Sequence, residues 1–164
     1  MIDESDKSLF RNTVDKQTPI DKDSYKDNHH NKIKLNKPFE NYSYVKRANL
    51  THSKPVSYRK DGLSPKILKK MKQGNIGSTH SIDLHALKIE EACKKLSMFI
   101  YDNSDEQYIR IIHGKGLHSV DGLSKMKSQV VYYLEQHPQV LAFCSCPQKW
   151  GGTGAVFVYL KSNV

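Results

Sequence analysis

Residues 81–116 constrain the fold most, because two apolar runs each end in a histidine-bearing turn and an amphipathic stretch separates them. Ser81-Ile82-Asp83-Leu84-His85 alternates polar and apolar residues, so as a strand it puts Leu84 on one face and Asp83 with His85 on the other. Tyr108-Ile109-Arg110-Ile111-Ile112 reads as a second strand and runs directly into His113-Gly114-Lys115-Gly116. Between them Ile89, Ala92, Cys93, Leu96, Phe99 and Ile100 recur at helical spacing, while Glu90 with Lys94 and Glu91 with Lys95 form i,i+4 pairs on the polar face. A right-handed crossover makes the two strands parallel and brings both turns to one carboxyl edge, where open α/β sheets bind ligands.

The rest of the second half extends this unit. A helix is expected over residues 123–137, with Asp121 as its cap, Leu123, Met126, Val130, Val131 and Leu134 as its buried stripe and Pro138 as its stop. Residues 140–146 and 155–160 read as two more strands, separated by Gly151-Gly152-Thr153-Gly154. The predicted fold is therefore α/β: a βαβαββ two-layer sandwich, a four-stranded mixed sheet with two helices and one sheet face left for the extension or a partner. Cys93, Cys144 and Cys146, with no signal peptide and no long apolar span, suggest a cytoplasmic chain that is not a membrane protein. In a strand Cys144 and Cys146 point the same way and read as small core residues, and no second Cys/His pair has the spacing of zinc ligands.

Asp83-Leu84-His85-Ala86, His113-Gly114-Lys115-Gly116 and Gly151-Gly152-Thr153-Gly154-Ala155 together resemble the Smr (small MutS-related) domain, whose motifs run DLHG, HGKG and GGxGA. Ala86 stands where that family has glycine, which bears on whether the turn keeps a positive φ. Lys88 stands where a threonine often caps the helix. The resemblance covers residues 81–161, reaches back through the basic segment to about Tyr58 and weakly to the amino-terminal residues 5–14, and implies a free-standing Smr protein. It also implies nuclease activity on RNA or DNA, in some members on messenger RNA at stalled ribosomes.

The residues support that chemistry in their own right. Histidine titrates near about 6.5, so His85 and His113 at one edge can serve as general base and general acid in phosphodiester cleavage. Asp83 can orient the His85 ring, and Lys115 supplies positive charge where the phosphorane forms. Gly114, Gly116, Gly151, Gly152 and Gly154 are expected to open backbone amides to a phosphate. No metal cofactor is expected, since Asp83 is the one carboxylate within the two signatures, although Mg2+ or Mn2+ would be needed if DNA were cut by an activated water. A nucleic-acid- or ribosome-binding module without catalysis is the alternative.

Net charge is +9, and it is unevenly divided: residues 1–80 carry 17 Lys and Arg against 9 Asp and Glu, whereas residues 81–164 carry 9 against 8. Residues 1–78 are therefore assigned as a basic, mostly disordered extension, with short helices near 5–14 and 64–73, and residues 79–164 as the domain. In the second of those helices Ser64 caps, Pro65 fits the first turn and Gly74 ends it. Lys66, Lys69, Lys70 and Lys72, with Arg59 and Lys60 before them, are the expected phosphate contacts. Tyr42, Tyr44 and Tyr58, interleaved with basic residues, suit either base stacking or pinning of a linker to the domain. His29 and His30 read as solvated, and His118 and His137 as core or surface residues.

Overall fold

The computed structural model describes residues 35–45, 49–77, 79–116 and 122–161. The expected helix at 5–14, together with His29, His30, His118 and Asp121, lies outside them. The elements are β1 (Ser57–Arg59), α1 (Pro65–Gln73), β2 (His80–Asp83), α2 (Ile89–Asp102), β3 (Tyr108–Ile112), α3 (Lys125–Gln136), β4 (Val140–Ser145) and β5 (Ala155–Leu160). The sheet order is β1-β4-β5-β3-β2, with β2 parallel to β3 and every other pairing antiparallel. The parallel pair is thus the strand-helix-strand unit read from the sequence.

Two layers of side chains hold the sheet. On one face Leu84, Ile109, Ile111, Val156 and Val158 bury against Ala92, Leu96 and Ile100 of α2 and Val130 and Leu134 of α3. On the other face Tyr108, Ala142, Cys144, Cys146 and Phe157 bury against Leu63, Met71 and Ile76. Burial pushes the Cys144 and Cys146 thiols up to about 11 and 12, so both are protonated core residues. The second face is therefore partly covered by α1, a part of the extension for which the expected two-layer sandwich left that face. Helix α1 has the predicted ends: Ser64 Oγ accepts from the Lys66 amide at 3.4 Å, Pro65 sits at its start, and Gly74 closes it at φ 73°.

The strand count also differs from the expected four. Ser57, Tyr58 and Arg59 pair with Cys144, Phe143 and Ala142, giving β4 a partner on its free edge. Tyr58 stacks on Phe143 at 5.1 Å, which favours pinning for this tyrosine. Tyr42 likewise stacks on Tyr133 at 6.2 Å. It belongs to an extended strap whose backbone is held by polar side chains of α2 and α3. Ser97 Oγ and Tyr133 Oη donate to the Phe39 carbonyl at 2.9 and 2.5 Å. Gln129 accepts from the Val45 amide at 2.8 Å and donates to the Tyr42 carbonyl at 2.9 Å. Lys127, fully buried, donates to the carbonyls of Thr51 (3.1 Å) and Lys54. Helix α3 starts two residues later than expected because Ser124, whose Oγ accepts from the Lys127 amide at 3.3 Å, is its cap.

Candidate active site

Strand pairing brings the three glycine- and histidine-bearing turns together. Asp83 is in register with Ile112, and Ile112 with Ala155, so the ends of β2 and β3 meet the start of β5. The amides of His113 and Gly114 both donate to the Gly154 carbonyl at 3.0 Å. A Cβ on Gly114 would come within 3.2 Å of His85 Cβ, and one on Gly154 within 3.1 Å of Lys115 Cγ. Glycine at these two positions therefore lets the turns touch. The expectation of open amides is corrected at four of five glycines: those of Gly114, Gly151, Gly152 and Gly154 donate to carbonyls of the chain itself, whereas Gly116 has no such bond among the described residues.

Asp83 and His85 form the polar centre of this edge. Asp83 Oδ1 accepts from the His85 amide at 3.0 Å and lies 2.6 Å from His85 Nδ1. A short polar side chain bonding two residues ahead fixes a turn, and here the same oxygen also fixes the ring. Desolvation pushes the Asp83 carboxyl up, but the two hydrogen bonds from His85 and the charge of its ring outweigh that and hold it below the usual aspartate range. The imidazole stays 65% exposed. Because a carboxylate oxygen accepts, Nδ1 carries a proton, so in the neutral ring Nε2 holds the lone pair, on a residue that lines the adjoining cleft.

His113 has a different environment, with 2% exposure. Its Nδ1 lies 2.8 Å from the Gly114 carbonyl and so carries the proton, while Nε2 is buried without a partner among the described residues. Burial pushes the ring down to about 4, with the Lys127 charge acting in the same direction and the Gly114 bond against it. A neutral, enclosed imidazole shapes the turn that carries Lys115.

A cleft of about 730 Å³ runs from His85 and Ala86 past His113 and Lys115 to Ser124 and Lys125. Lys115 and Lys125 are exposed, and the amino end of α3 adds its positive dipole to the same space. Sequence reasoning missed Lys125; a lysine directly after a helix-capping serine was the available signal. A family model described as the Smr domain matches residues 82–161, which contain all three turns. Residues 82–161 belong to the Smr domain family.

The chain's relatives include a ribosome rescue factor SmrB of Tolumonas auensis, 28% identical over 176 residues that cover 99% of this chain and 97% of that protein. A ribosome rescue factor SmrB of Buchnera aphidicola is 32% identical over 124 residues, 74% of this chain, and the chain spans 63% of that relative's length. The crystal structure of YdaL, a stand-alone small MutS-related protein from Escherichia coli, superposes with a TM-score of 0.66 at 26% identity, covering 75% of this chain and 95% of YdaL.

Around the Smr domain, the basic residues expected to meet phosphate divide into two groups. Lys66, Lys69, Lys70 and Lys72 of α1 are exposed. Arg59 and Lys60 are engaged within the chain: Arg59 donates to the Leu63 carbonyl, and Lys60 Nζ to the carbonyls of His137 (3.3 Å) and Pro138 (3.0 Å). Among the described residues no helix is long and apolar enough to cross a membrane.

Proposed function

We propose that the chain is an endonuclease that cleaves single-stranded RNA at the Asp83–His85 edge, in association with ribosomes. The single observation that carries this reading is the 2.6 Å contact between Asp83 Oδ1 and His85 Nδ1, which leaves the other ring nitrogen of an exposed histidine open to a basic cleft. His85 Nε2 takes the proton of a 2′-hydroxyl, and the freed oxygen attacks the adjacent phosphorus. The bond to the 5′-oxygen then breaks, that oxygen takes a proton from water, and a cyclic phosphate and a 5′-hydroxyl remain. Asp83 holds the ring in the working tautomer and stabilises it once protonated. Lys115, with Lys125 and the α3 amino end, offsets charge on the phosphorane. The ribosomal setting is supported by relatives named as ribosome rescue factors.

The burial of His113 favours a second reading, a module that binds without cutting, because one exposed imidazole leaves the edge without a paired acid. A labelled single-stranded RNA distinguishes the two. Cleavage is expected from the full chain, to persist in excess chelator, and to fall about 10²- to 10⁴-fold in His85→Ala with binding retained. Binding without any cleavage by the unaltered chain would establish the module. Cleavage that is lost in chelator, returns with magnesium or manganese and yields 5′-phosphate ends would replace the imidazole mechanism with metal-dependent hydrolysis centred on Asp83.

A further inference from the structure

Trp150, the one tryptophan of the chain, sits in the turn just before Gly151 and keeps 36% of its surface exposed. Its ring is fixed from several sides. Phe157 packs against it edge-on at 6.1 Å, and its Nε1 lies 3.3 Å from the place a Cβ on Gly74 would occupy, so the end of α1 abuts it. Two cations attend the indole: the Arg110 guanidinium carbon at 5.1 Å from the ring centre and Lys149 Nζ at 5.9 Å. Arg110 also reaches Ser81 Oγ at 3.4 Å, and among the described residues its Nε has no partner and no carboxylate pairs with it. An indole wedge closing the core needs neither cation. A planar aromatic with two cations and no acid beside them is what a nucleobase and its phosphate require.

Register connects this cluster to the cleavage edge. Ser81 pairs with Arg110 and Arg110 with Phe157, so the cluster lies across β2, β3 and β5. Asp83 is two residues along β2 from Ser81 on the same face, about 6–7 Å away. We propose that Trp150, with Arg110 and Lys149, is a stacking subsite for an unpaired base of the strand whose backbone is cut at Asp83 and His85. This rests on the reading of that edge as a nucleic-acid site. Such a subsite selects single strands, because a paired base has its faces covered by its neighbours.

The lone tryptophan makes the test direct. The full chain is titrated with a labelled oligouridylate while label anisotropy and tryptophan emission are followed together. Emission is expected to be quenched and to saturate at the same Kd as the anisotropy, with an RNA duplex of equal length giving no quenching. Trp150→Leu, checked for folding by thermal melting, should weaken binding about ten-fold and raise KM more than it lowers kcat. Arg110→Gln, which keeps the indole, should weaken binding as well. Tight binding with unchanged emission, and an unaltered Kd in Arg110→Gln, would overturn the stacking subsite while leaving the nuclease reading intact. Absence of binding by anisotropy would overturn both, and equal quenching by duplex would overturn the preference for single strands.

Discussion

Ala86 holds φ at 63°, a left-handed conformation that costs a residue with a Cβ about 1–2 kcal/mol. The doubt that alanine raises about this turn is thus resolved against sterics: the Asp83–His85 bonds and the Leu84 amide, which donates to the Ile112 carbonyl at 2.7 Å, hold the turn in place. Ala86→Gly should therefore raise stability, by up to about 1 kcal/mol in urea unfolding once the added freedom of the unfolded chain is subtracted. A loss of stability would show that the turn is not strained. His113 and His137 make a second residue-scale prediction, since burial, aided at His137 by the Lys60 charge, pushes both down to about 4. Between about pH 6.5 and 4 the unfolded chain binds protons that the native rings refuse, so unfolding free energy falls as pH falls through that window. Stability should be full above about pH 6.5 and drop by a few kcal/mol toward pH 4. Urea midpoints that stay level or rise between pH 7.5 and 5 would contradict this.

At the scale of elements, β1 and α1 belong to the folded unit even though both lie in the part of the chain assigned to a basic extension. Removing residues 1–78 would strip the partner from the free edge of β4 and expose Phe157, Cys144 and Ala142. It would also leave Gln129 and Lys127 on α3 without the strap carbonyls and amide they bond. The 79–164 fragment should therefore aggregate or unfold well below the melting temperature of a chain beginning at residue 35, as read by circular dichroism and light scattering. Equal melting of the two fragments would mean that β1, α1 and the strap contribute little. The strap also explains why the buried stripe of α3 was only half readable. Val130, Val131 and Leu134 follow the helical period, but Lys127, Ser128 and Gln129 are buried because an extended segment far away in the chain needs hydrogen-bond partners there.

Across the whole molecule the positive charge is more localised than a division into halves suggests. Residues 1–34 carry 7 basic and 7 acidic residues, whereas residues 35–80 carry 10 basic against 2 acidic. A chain beginning at residue 35 should keep the affinity of the full chain for single-stranded RNA and the same slope of log Kd against log salt. A markedly shallower slope would assign phosphate contacts to residues 1–34. The sequence by itself determined the strand-helix-strand unit, its parallel pairing, the Smr domain motifs and the placement of Asp83 beside His85, because these follow from local periodicity and from residues two apart. It also determined the ends of α1, where the Ser64 cap, Pro65 and Gly74 are local signals. Only the tertiary structure decided that His113 is enclosed and neutral while His85 is exposed. Both sit at strand ends just before a residue of positive φ, Ala86 at 63° and Gly114 at 77°, and what separates them is which elements close over each ring. It likewise decided that the Gly114 amide bonds to the Gly154 carbonyl, that α1 is what covers the sheet face left for the extension or a partner, and that Arg110 meets Trp150, since each depends on segments distant in sequence arriving at one place.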